Sequence, residues 1–310
     1  MIKSYALGIY PRSPKLIDAT RRNDKKLRKM FEVEKKKLIT EQQKAKLSCI
    51  CDPLLDWNDM FRPFASVEGV GLGALNRFFE TNTFYRKLII NDQLNGYGSI
   101  VKSNLVLSLL PKKNDIAACM PDPYTLADLN ENRFYKNYSD YLFAIADMLS
   151  KEAQTLAKAK VKIIQLNAPS IAYKADSVDI NLVKDTVERV KRNTKSKVYL
   201  HLYFGNISKI FSKLLDIKID GLNVDLSRTD LNSIVGYKVD KGLCLGAVDA
   251  MNTKMEDVKD TAKTISNAFD KMEPKEAYIS TTCDLEFLPY EFAVKKLSLL
   301  GKIARSVRYD

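Results

Sequence analysis

The chain has 310 residues, 45% of them apolar, and a formal net charge of +12. That length suits one large α/β domain, since an eight-stranded β/α barrel takes roughly 250 residues. No apolar run reaches the roughly 20 residues needed to cross a bilayer, and the apolar part of MIKSYALGIYPR is too short for a signal peptide. The five cysteines (Cys49, Cys51, Cys119, Cys244 and Cys283) are odd in number and scattered, which argues for free thiols in a reducing cytoplasm rather than a disulfide framework.

In chain order, a strand is predicted over 5–9, ending in the turn YPRSP. The stretch RRNDKKLRKMFEVEKKK (21–37) follows, with apolar residues at Leu27, Met30, Phe31, Leu38 and Ile39. This spacing predicts a charged helical insertion with one apolar stripe and a Lys/Arg-rich opposite face. Such a face is either an electrostatic patch for anions or a solvated surface. Nucleic acid is not expected, because no aromatic–basic interleaving accompanies the charge. A short strand at 49–51 ends at Asp52, and residues 52–85 read as loop dense in polar and aromatic side chains. Strands are predicted at 87–90 and 105–109, and a helix over 138–158. The strand VKIIQLN (161–167) follows, and then short, even units. Their helices fall at 180–192, 207–215, 229–236, 254–272 and 290–304, and their strands at 198–203, 219–225, 243–247 and 277–281. Strand–helix alternation throughout implies a parallel sheet, and about eight strands favour a closed (β/α)8 TIM barrel in a single domain, 1–310. VEGVGLGAL is not a dinucleotide fingerprint, because it lacks the GxGxxG spacing and a preceding strand.

In such a barrel the C-terminal strand ends converge on one face, where binding and catalysis occur. His201, Asp225 and Cys283 close three of the apolar runs there. One reading is a metal site, with His and Cys as ligands and Asp adding an oxygen. The other is a hydrogen-bonded histidine at a strand end and a buried inert thiol. Tyr203 shares the face of His201, because side chains on a strand alternate with period 2.

LGIYPR (7–12), DPLLDWNDMFRPF (52–64), FFETNTFYRK (78–87), IIQLNAPS (163–170), HLYFGN (201–206), GLNVDL (221–226), LGAVDAMN (245–252) and TTCDLEFLP (281–289) occur in this order. Together they resemble the cobalamin-independent methionine synthases, zinc enzymes that move a methyl group from a folate-type donor to homocysteine. The family's large members hold two barrels. The C-terminal barrel carries zinc and homocysteine, and the N-terminal barrel lacks the metal and helps hold the folate. Single-barrel relatives occur in archaea and bacteria. The catalytic barrel's His-x-Cys pair falls here at His201-Leu202-Tyr203, its glutamate ligand at Asp225 and its second cysteine at Cys283. Its homocysteine-binding serine falls at Ile9, and its acidic pair before a proline at Asn167 and Ala168. The runs GLNVDL, LGAVDAMN and Cys-x-Leu-x-x-x-Pro are more similar to the N-terminal barrel.

The resemblance therefore implies a methyl-pterin- or folate-binding, or scaffolding, barrel without a resident cofactor, paired with a separate zinc-bearing barrel. The incomplete His201/Cys283 metal site leaves zinc doubtful. Two alternatives stay open: a self-sufficient homocysteine S-methyltransferase using His201, Asp225 and Cys283, and a structural partner or binder of another anion. Candidate substrate-binding residues are Arg12, Lys15, Asp52, Trp57, Asn167, Tyr203, Asp225 and Asp249. Of these, Arg12 and Lys15 are placed to meet a glutamyl or phosphate tail. The aromatics of 52–64 and 78–87, Trp57 among them, either form a contact surface or plug the barrel mouth as core.

Overall fold

The computed structural model describes residues 2–96 and 98–309. The chain opens with β1 (Lys3–Tyr5), α1 (Pro14–Arg21), α2 (Leu27–Lys44) and β2 (Cys49–Ile50). It continues through β3 (Val70–Arg77), β4 (Phe84–Ile90), α3 (Ile100–Ser103), β5 (Asp115–Pro121), α4 (Pro123–Leu129), β6 (Glu131–Asn132) and α5 (Tyr138–Lys158). Then come β7 (Ile163–Asn167), α6 (Pro169–Tyr173), α7 (Ile180–Lys191), β8 (Lys197–Leu202), α8 (Phe211–Leu215), β9 (Gly221–Asp225) and α9 (Leu231–Ile234). The last units are β10 (Gly242–Val248), α10 (Val258–Met272), β11 (Glu276–Thr281) and α11 (Tyr290–Ser306).

Eight strands form one sheet in the order β1-β11-β10-β9-β8-β7-β5-β2, and every ladder in it is parallel. The seam between the outermost strands is closed by Ser48 N donating to Ser4 O at 3.0 Å and Ser4 N donating to Ser48 Oγ at 3.2 Å. The result is a (β/α)8 barrel. Strands such as β7 and β9 are buried along their whole length, as parallel strands packed on both faces must be. The helices form because their apolar residues recur at helical spacing and their ends are capped. In α5 the buried set includes Leu142, Ile145, Leu149, Ala153 and Leu156. Asp179 and Asp257 accept backbone N–H bonds at the starts of α7 and α10.

Several sequence expectations need correction. The first strand ends at Tyr5, not residue 9, because Gly8 at φ +113 turns the chain and Ile9 bonds instead to the loop after β11. Residues 107–109 are a 3-10 turn, so no strand lies at 105–109. The barrel strand is β5, whose Ala-Ala-Cys-Met-Pro run lacks the β-branched signature of a strand. The predicted strand at 87–90 belongs to β4, outside the barrel, in a three-stranded sheet β3-β4-β6. The supposed loop 52–85 contains β3. Its run of exposed and half-buried residues gives little alternation to read.

The three-stranded sheet matters for function. β3 and β4 lie in the long connection that leaves the C-terminal end of β2, and β6 joins them from the connection after β5, so the β3–β4 hairpin roofs the barrel mouth. Phe78 and Phe79 beside the hairpin turn pack edge-on against Phe204 at 6.0 and 5.5 Å, and Phe204 packs on Phe287 at 5.6 Å. Among the described residues no helix is long and apolar enough to cross a membrane.

Candidate functional site at the barrel mouth

Polar side chains form a layer inside the C-terminal half of the barrel, one step below the mouth. Register places Asn167 of β7 beside His201 of β8, and His201 beside Asn223 of β9. Gln165 ties the layer together. Its amide nitrogen reaches Asn167 Oδ1 at 2.8 Å and His201 Nδ1 at 2.9 Å, and its oxygen accepts from Asn223 Nδ2 at 3.2 Å. Ser280 Oγ in turn donates to Asn223 Oδ1 at 3.1 Å.

This layer decides the state of His201. Its Nε2 lies 3.0 Å from Thr282 O, a carbonyl that can only accept. That bond fixes the proton on Nε2 and leaves Nδ1 to accept from Gln165. Burial lowers the imidazole pKa to about 3, so the ring is neutral near pH 7 and both nitrogens are already used. Asp225 is equally engaged, accepting from Ser227 N at 2.8 Å, Ser227 Oγ at 2.6 Å and Phe204 N at 3.3 Å. The last of these helps hold Phe204 in the left-handed region at φ 69, under the aromatic roof. Cys283 is fully buried, and burial pushes its thiol pKa well up. His201, Asp225 and Cys283 are therefore close in sequence logic but do not form a ligand set. Among the described residues no group of three or more His, Cys, Asp or Glu side chains is arranged to hold a metal. Zinc chemistry needs thiolate or free imidazole donors, and these residues do not fit it.

The other candidates are dispersed. Tyr203 is fully buried beside His201, and its hydroxyl has no hydrogen-bond partner among the described residues. Asp52 is buried in an ion pair with Lys35. Trp57 is buried, and its indole donates to Asn104 O at 3.0 Å. Lys15 is exposed on α1. Asp249 accepts from Met251 N at 2.7 Å and lines a separate cavity of about 390 Å³ with Glu256 and Asp260.

Arg12 and Trp57 do meet, in a pocket of about 670 Å³ between the loops after β1 and β11. That volume suits a small-molecule site. Arg12 is held in place by Leu55 O at 2.7 Å and Asn58 Oδ1 at 3.3 Å, and it lies over the Phe31 ring. Phe84, Tyr290 and Phe292 supply flat walls, and Glu286 lies at the inner end. A crevice of only about 10 Å³, lined by Asn58, Phe84, Glu286 and Asp284, shares residues with it. Sequence reasoning passed over both of these carboxylates. No period-2 pattern marks them, because Leu285–Phe287 form a 3-10 turn with Asp284 at its start.

Comparison with known proteins agrees with this architecture. The family model described as the N-terminal domain of cobalamin-independent synthase matches residues 74–273. A methionine synthase of Sulfolobus acidocaldarius is 23% identical over 321 residues, spanning 100% of this chain and 93% of its own length. One from Saccharolobus solfataricus is 27% identical over 191 residues, which is 61% of this chain and 57% of that protein. Among solved structures, a B12-independent methionine synthase from a Shewanella species, in complex with selenomethionine, superposes with TM-score 0.78 at 18% identity, covering 98% of this chain and 96% of that one. A methyltransferase from Methanosarcina mazei gives 0.63 at 14%, covering 96% and 93%. At these identities the structures speak for the fold alone. The family match covers more than half of the chain, and the chain belongs to the cobalamin-independent synthase family, in its N-terminal-domain form.

Proposed function

We propose that this barrel serves methionine biosynthesis by binding the methyl-pterin or folate-type donor and completing a cleft, with the thiol-activating zinc carried by a second barrel on another chain. The observation that carries this reading is the state of His201. Both of its ring nitrogens are bonded inside the barrel, and Tyr203 stands where a second soft ligand would be needed. A thiol with a pKa near 8.5 is mostly protonated at neutral pH and needs a metal or a cation to become a nucleophile. This barrel offers homocysteine neither of these beside His201. It does offer a pocket of donor size, with aromatic walls, a carboxylate at one end and the Arg12 guanidinium at its side.

Under this reading the single barrel, residues 1–310, is the working unit. Arg12 and Lys15 attract the anionic tail of the donor, and Trp57 braces the loop that positions Arg12. Titration calorimetry of the purified chain with 5-methyltetrahydropteroyl-glutamate tests the reading. Saturable binding, weakened in Arg12→Ala, supports it. No binding to the folded chain refutes the donor assignment. One zinc per chain, lost in Cys283→Ser, would instead favour a self-sufficient enzyme.

A further inference from the structure

The crevice of about 10 Å³ is walled by three segments far apart in the chain. Asn58 and Asp59 come from the loop after β2, Thr83 and Tyr85 from the β3–β4 hairpin, and Asp284 and Glu286 from the loop after β11. Of its three carboxyls, Asp59 is already satisfied. Its Oδ2 accepts from Arg62 Nη2 at 3.0 Å and Arg86 N at 3.1 Å, and its Oδ1 from Arg62 N at 2.7 Å. The other two are not. Asp284 is 3% exposed; its Oδ2 accepts from Ile9 N at 3.2 Å, while Oδ1 has no partner among the described residues. Glu286 is half-buried, and its carboxyl has no hydrogen bond or ion pair among the described residues. Arg12 lines the larger pocket with it but spends Nε and Nη2 on Leu55, Trp57 and Asn58.

We propose that Asp284 and Glu286 hold one Ca²⁺-sized divalent cation in this crevice, with Asn58 and Thr83 adding neutral oxygens. The inference does not depend on the donor reading above. A void of about 10 Å³ is the size of a single water, so it admits a bare ion and no organic group. A water placed there gives its protons to the open oxygens but leaves their charge uncompensated, and uncompensated buried charge is far more costly than an open acceptor. Two carboxylates balance one divalent ion. Every donor is a hard oxygen, which suits calcium or magnesium rather than zinc. Magnesium keeps several waters in a strict octahedron, for which the crevice has no room, whereas calcium accepts irregular oxygen shells. Glu286 lines both the crevice and the pocket of about 670 Å³, which gives the ion a way in and lets water complete its shell.

The surroundings agree with a missing counter-charge. Burial raises Asp284 to about 7. Burial, with Asp284 and Asp59 close by, raises Glu286 well above its ordinary value. An ion here ties the loop after β11 to the hairpin and to the loop after β2, so it fastens the aromatic roof to the barrel.

Terbium titration of the full chain, stripped beforehand with a chelator, provides the test. Tyr85 on the crevice wall and Trp57 in the adjoining pocket sensitise Tb³⁺ luminescence. The signal should saturate at one ion per chain and be displaced by Ca²⁺, and Ca²⁺ should raise the thermal unfolding midpoint. Glu286→Gln, and Asp284→Asn, which keeps an acceptor for Ile9 N, should each weaken both ions at least about 10-fold and abolish the calcium-dependent rise. Without metal, both variants should be at least as stable as the wild type, because each removes an uncompensated carboxylate. No saturable Tb³⁺ or Ca²⁺ binding by the folded wild type overturns the proposal. Binding that both variants retain in full places the ion elsewhere and also overturns it. Metal-free variants less stable than the wild type would show that the carboxyls are satisfied within the fold, and would reject it too.

Discussion

Replacing Lys35 by Met should destabilise the fold and loosen the loop that carries Arg12's partners. Lys35 is fully buried on α2 and bonds Asp52 at 3.1 Å and Asp56 at 2.7 Å. The Asp56 side chain is 42% exposed, so that arm contributes under ~1 kcal/mol. Asp52 is 3% exposed, and stripping a buried carboxylate of its cation costs roughly 3–5 kcal/mol. It keeps two backbone donors, Leu54 N at 2.9 Å and Val106 N at 2.7 Å, which place the loss near ~3 kcal/mol. Burial already raises the Asp52 pKa, and Lys35 opposes that rise. Without Lys35 the folded-state pKa climbs further above the unfolded value, so folded Asp52 takes up its proton more readily than unfolded Asp52. The deficit of Lys35→Met therefore shrinks as pH falls and grows as pH rises through the shifted value. Urea unfolding followed by far-UV circular dichroism and by the fluorescence of the single tryptophan, Trp57, measures it at several pH values. Lys35→Met/Asp52→Asn, which removes the stranded charge, should recover part of the loss. A deficit below ~1 kcal/mol, or one independent of pH, would refute the reasoning.

Other expectations follow from single residues. Tyr203→Phe removes a buried hydroxyl without a partner and should raise stability by about 1 kcal/mol in the same urea assay. Gly8→Ala combines φ +113 with a Cβ 2.1 Å from Asp284 Oδ1. It should cost about 1–3 kcal/mol in the same urea assay, by straining the backbone and displacing that carboxyl. His201 is depressed to about 3 in the folded chain, so its contribution is complete above its unfolded value near 6.5. It is lost on acidification at up to about 1.4 kcal/mol per pH unit, and His201→Gln should flatten that part of the stability profile. Elemental analysis after zinc incubation and desalting should find well under one zinc per chain.

Much of the fold was legible because barrel strands buried on both faces are written as plain apolar runs. VYLHLYF, GLNVD and AYIST name β8, β9 and β11 directly, and the capped, periodic helices between them are equally clear. The failures have physical causes. β5 uses Ala, Cys and Met where contacts are tight, and its propensity signal vanishes although the whole C-terminal part is buried. The Leu105–Leu109 run looks like a strand, yet its half-buried leucines pack around a 3-10 turn. For the site, the strand ends placed His201, Tyr203 and Asp225 toward the C-terminal end of the barrel, where the structure buries all three. No pattern revealed that His201 is saturated, because Gln165 reaches it from the neighbouring strand β7 and Thr282 from the loop after β11. Asp284 was hidden for the same reason, since its isolation depends on Gly8 from the opposite end of the chain.

Methionine formation from homocysteine and a methyl-tetrahydropterin tests the central claim most directly, assayed for this chain, for a separate zinc-bearing barrel and for their mixture. The account predicts no useful turnover by this chain alone, and a mixture faster than the zinc-bearing barrel by itself. Robust turnover by the isolated chain, with one zinc bound, would contradict it.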